Sequence, residues 1–160
     1  MEQEKPDYEG IGGWLLLPML GMLLSVFLVA KDFFGEFVPL LLNGSVKILT
    51  DPASVHYHRL WMPLIIVEGI GNLLLLTLPA AVLFFIMRRS AFAPKIAIAW
   101  LITVLIVNSA ITYIGSNIPL IANETDSYES AGQLFKSLIS AAIWIPYFLV
   151  SKRVKATFIR

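Results

Sequence analysis

Glu68 is the one ionisable side chain set deep inside an apolar run, and Asn72 follows it four residues later. In a helix that spacing places both on one face. Asn108 falls at similar depth in a second apolar run, so the three polar groups are expected to meet inside a bundle. Insertion scales put a central Asp, Lys or Arg at about +2.5 to +3.5 kcal/mol, so a carboxylate there must be protonated, paired or hydrated. Two chemistries would satisfy it. One is a proton- or cation-binding site open to the outside. The other is an interhelical clamp in which protonated Glu68 donates to an asparagine oxygen, a bond of about 0.6–2 kcal/mol. The clamp is preferred, because a relay needs a second titratable group and the inner half of every apolar run lacks one.

His56 and His58 flank Tyr57 just before the second run. At i and i+2 they share a face only in an extended segment. With Asp51 or Glu36 they would make a ligand set for a transition metal, or alone a pH sensor. Two solvated loop histidines explain them more simply, so no metal site is assigned. No serine–histidine–acid set, metalloprotease helix motif or phosphate loop can be assembled, and there is no cysteine to act as nucleophile or thiolate ligand. The expectation is a chain without catalytic residues or cofactor, and not an enzyme.

The elements that must position these residues are dictated by composition. The chain has 160 residues, 58% apolar and only 14% charged, with net charge +1 and mean hydropathy +0.78. A soluble domain carries about 25% charged residues. So much apolar surface calls for lipid as solvent, and the near-neutral charge offers nothing to nucleic acid. About 20 apolar residues cross a bilayer. Four stretches qualify: residues 12–30, 61–87, 96–114 and, more weakly, 134–150. The prediction is an all-α membrane protein, a four-helix transmembrane bundle in a single domain over residues 1–160. The first run lacks the flanks of a cleavable signal peptide and is expected to persist as a helix. Residues 33–42 are apolar yet broken, which predicts an interfacial or re-entrant segment in a long first outer loop. Pro79 and Pro146 fall inside spans and are expected to kink them.

Basic residues follow the cytoplasmic side of a membrane. Arg88, Arg89 and Lys95 lie between spans two and three, and Lys152, Arg153, Lys155 and Arg160 follow span four. The segment between spans three and four has acids and no basic residue. Both termini are therefore expected in the cytoplasm. Lys152, Arg153, Lys155 and Arg160 are also the expected contacts to anionic lipid headgroups, about 1 kcal/mol each near the surface. Gly69 and Gly71 would let a neighbouring helix approach closely, and Gly21 with Ser25, and Ser137 with Ala141, have small-xxx-small spacing that marks helix contacts.

The segment Gly10-Ile11-Gly12-Gly13-Trp14-Leu15 before the first span, and Ser151-Lys152-Arg153-Val154-Lys155-Ala156-Thr157-Phe158 after the fourth, carry a likeness. With them, residues 10–160 resemble an uncharacterised bacterial inner-membrane family of the YdgK type, a domain of unknown function. The resemblance implies a multi-pass protein of the bacterial inner membrane and brings no activity or cofactor. On the topology above, both end segments fall on the cytoplasmic face and are expected to pack together. The functional expectation is an accessory or scaffold component that binds the bilayer and another membrane protein or a second copy. The alternatives are a small transporter centred on Glu68 and an enzyme acting on lipid.

Overall fold

The computed structural model describes residues 10–124 and 127–158. Lys5, Asp126 and Arg160 lie outside them. The described residues are helical, without a strand. A 3-10 turn, Gly13–Leu15, leads into α1, Leu16–Asp32, which passes through a π turn, Phe33–Phe37, into α2, Val38–Leu42. Then come α3 (Ser45–Thr50), α4 (Trp61–Met87), α5 (Phe92–Ser116), α6 (Pro119–Glu124), α7 (Ser127–Val150) and α8 (Lys152–Thr157). Among the described residues four helices are long and apolar enough to cross a membrane: Gly13–Leu42, α4, α5 and the Gly132–Val150 part of α7. Hydrocarbon offers the backbone no hydrogen bonds, so helices that close their own ladders are what this composition can form.

The first rod differs from expectation. Residues 33–42 do not stand apart from the first span; they prolong it to 30 residues, about 45 Å at 1.5 Å per residue. The π turn has a local cause. Pro39 cannot donate to the Gly35 carbonyl and its ring crowds it, so the ladder widens at Phe33–Phe37 and the helix continues beyond. Widening also swings Phe37 onto α4: a methyl added at Gly69 would sit 3.0 Å from the Phe37 ring. α4 and α7 likewise run through Pro79 and Pro146 as single helices.

α1 packs on α4, α4 on α5 and α5 on α7. The tightest seam is between α4 and α5, where a methyl at Gly71 would lie 2.6 Å from Val107 Cγ1. Both glycines thus permit close approach, as their position predicts. One core joins α1 (Met22), α4 (Val82, Ile86), α5 (Ala97, Leu101), α7 (Phe148) and α8 (Val154). A smaller one forms at the opposite end around Trp61, Leu64 and Ile118. Outward faces are apolar too: Leu20 is 61% exposed, Phe27 67% and Ile106 62%. Faces of that kind are stable against lipid, where exposure of leucine costs nothing.

Between α4 and α5 the chain reverses in four residues. Ser90 N–H bonds to the Phe85 carbonyl at 3.0 Å and Arg89 N–H to Ile86 at 2.9 Å, a Schellman closure. Arg89 occupies the left-handed position, φ 52°, where glycine is usual.

A groove between the first and last spans

α1 and α7 are not joined by an interface like the other three. α4 and α5 form the floor between them, and the gap is a cavity of about 610 Å³. α1 contributes Leu17, Pro18, Gly21 and Ser25; α7 contributes Gln133, Ser140, Trp144 and Phe148. From Leu17 to Lys31 the α1 wall is about 21 Å long at 1.5 Å per residue.

The walls are tiered, and the tiers follow from helix position. At one end are Lys31, Asp32, Gln133 and Lys136. Lys31 Nζ lies 3.8 Å from Asp32 in an exposed pair, which stabilises little. Inward of these, from Ser137 beside Lys136 to Ser25 six residues from Lys31, comes a neutral polar tier of Ser25, Asn72, Asn108, Ser137 and Ser140. Asn108 Nδ2 donates to Ser137 Oγ at 2.8 Å, and Ser137 Oγ donates to the Gln133 carbonyl at 3.0 Å. Further in, Leu17, Trp100, Trp144 and Phe148 line an apolar tier. Trp100 is 8% exposed, and its indole Nε1 is buried with no acceptor among the described residues. Beyond it, Leu15, Phe148, Val154 and Phe158 join the buried core.

Sequence reasoning grouped Glu68, Asn72 and Asn108. Asn72 and Asn108 do line one cavity, whereas Glu68 lies off its wall, half-buried on α4. Glu36 of the π turn lies close enough to interact with Glu68 electrostatically. The amide of Asn108 is held by Ser137 of α7, a partner not foreseen. The spacing of Ser137 with Ala141 carries that signal, since both are buried and Ser137 bonds across to α5. Gly21 and Ser25 share the same spacing, but a methyl at Gly21 would meet no atom within 4 Å. They line the groove instead of a helix contact. Lys31, read as a loop residue, stands inside the first rod.

The histidines lie elsewhere. His58 Nδ1 accepts from the Leu60 N–H at 3.3 Å, and the His56 carbonyl accepts from the Trp61 indole at 3.1 Å. Asp51 accepts from the Ala53 N–H at 2.9 Å. Among the described residues no three histidine or carboxylate side chains come together as a metal would require.

The two end segments meet, as their topology predicts. Gly10 N–H donates to Thr157 Oγ1 at 3.1 Å, and that hydroxyl donates to the Gly10 carbonyl at 3.2 Å. Ser151 caps α8 by accepting from the Val154 N–H. The cap turns Arg153 over the backbone of Gly12 and Gly13, where an added methyl would stand 3.3–3.4 Å from the guanidinium. Gly13 has φ +56°, a conformation glycine supplies at no steric cost. Of the basic residues expected on lipid, Lys152 and Lys155 are exposed and Arg153 is engaged in this latch.

These end segments are what the comparisons with known proteins cover together. A family described as protein of unknown function (DUF2569) matches residues 8–159. The chain belongs to this family. No curated protein and no solved structure matches it. For a DUF2569 protein, then, the latch and the groove are features to be read from the chain's own chemistry.

Proposed function

We propose that this protein is a non-enzymatic accessory component of a bacterial inner membrane, with both termini in the cytoplasm, that holds another membrane component in the groove between α1 and α7. The observation that carries this reading is the groove itself. It is sized for one ligand, since small-molecule sites run to about 300–1,000 Å³, and its polar groups are confined to one half. At the inner end it stops against the core made by Leu15, Val154 and Phe158. That shape suits holding better than passing. The positive residues at the latch end support the cytoplasmic assignment, and the likeness of the end segments to the YdgK type supports the bacterial inner membrane. Lys152 and Lys155 supply exposed charge for anionic headgroups at that face.

Transport centred on Glu68 has less support, because Glu68 does not face the cavity that Asn72 and Asn108 share. Purification of the full chain from its native membrane, with mass analysis of everything retained, tests the reading. A stoichiometric, chemically unaltered companion is expected. Retention of nothing, or steady conversion of the companion to a product, overturns it.

A further inference from the structure

We infer that the groove is a site for one phospholipid whose head carries both a phosphate and a primary ammonium, its acyl chain running inward along α1. The inference deepens the proposed holding function and rests on it. The three tiers of the groove match the three parts of such a lipid in order. The outer tier has two cations, Lys31 and Lys136, on opposite walls, suited to a phosphate between them. It also has the Asp32 carboxylate, 3.8 Å from Lys31 Nζ. A purely anionic head would answer the two lysines but leave Asp32 with no partner other than Lys31. An ammonium on the same head would bond to Asp32.

The middle tier begins about 9 Å below Lys31 on α1, at Ser25, six residues away. Ser25 and Ser140 carry hydroxyls there, and Asn72 an amide. They stand where the ester carbonyls of a lipid held by its phosphate would lie. The inner tier is hydrocarbon: Leu17, Pro18, Leu101 and Phe148, with Gly21 leaving the wall flat. A cleft between two helices that form no extended interface with each other gives a chain a way in from the bilayer. A second transmembrane helix is the other occupant of this width. It is disfavoured by the charged tier, which a helix would have to answer with buried charges of its own.

The test uses the full chain in lipid nanodiscs of phosphatidylcholine, titrated with phosphatidylethanolamine and read by native mass spectrometry. Saturable binding of one phosphatidylethanolamine per chain is expected. Lys136→Gln and Asp32→Asn should each weaken it, the lysine change by about five- to tenfold. Gly21→Phe should abolish it while leaving the fold intact, because the added ring enters open space. Binding unaffected by Gly21→Phe overturns the site. Phosphatidylglycerol binding as tightly as phosphatidylethanolamine overturns the head assignment. A polypeptide cross-linked from a cysteine placed at Gly21 overturns the lipid altogether. Chemical conversion of the bound lipid would overturn the non-enzymatic reading and leave the site standing, so the two failures are distinguishable.

Discussion

Asn108 shows what one polar side chain does in a bundle surrounded by hydrocarbon. Its amide donates to the Ser137 hydroxyl across the α5–α7 seam, and that hydroxyl donates on to the Gln133 carbonyl. Asn108→Ala should cost about 0.6–2 kcal/mol of stability in detergent unfolding. A double-mutant cycle with Ser137→Ala should recover most of that as coupling. Glu68 lies apart from this bond, half-buried and off the groove wall. Glu68→Gln is therefore expected to leave folding and lipid binding unchanged, measured as thermal midpoint and retained lipid. A loss of retained lipid would put Glu68 back at the centre of function. Sequence reasoning identified all three polar residues, and missed their division because i+4 spacing fixes a face only to within a turn.

At the scale of elements, the α4–α5 hairpin is held by shape. Gly71 leaves room for Val107, and a methyl there would come within 2.6 Å of it. Gly71→Ala should destabilise by about 1–3 kcal/mol, with Val107→Ala restoring part of the loss in the double variant. The hairpin's own turn points the other way. Arg89 holds a left-handed conformation that costs an L-residue about 1–2 kcal/mol. Arg89→Gly should therefore raise the unfolding midpoint. The small-residue spacings were legible in the sequence as a class. Which of them would meet a helix was not: Ser137 and Ala141 are buried and Ser137 bonds across to α5, while Gly21 and Ser25 face a gap.

For the whole molecule, the latch ties the two ends of the chain at one face. Gly10 and Thr157 exchange two hydrogen bonds across 147 residues of sequence. Thr157→Val removes both and should cost about 1–2 kcal/mol, read as earlier unfolding and faster proteolysis of the ends. The proposed orientation places this face in the cytoplasm. Reporter fusions after residues 90 and 160 are then expected to behave as internal and a fusion after residue 123 as external; the reverse pattern would invert the assignment.

The sequence by itself determined the medium, the four spans, the close approach at Gly69 and Gly71, and the meeting of the two end segments. These depend on transfer energies and local geometry, which add up along a chain. Only the tertiary structure decided that residues 33–42 prolong the first helix, that Lys31 stands within it, and that α1 and α7 stay apart over a polar-lined groove. The reason is that helices apolar on every side carry no stripe to say which faces meet. In lipid that choice falls to packing and to a few polar contacts, which exist only once the helices are side by side.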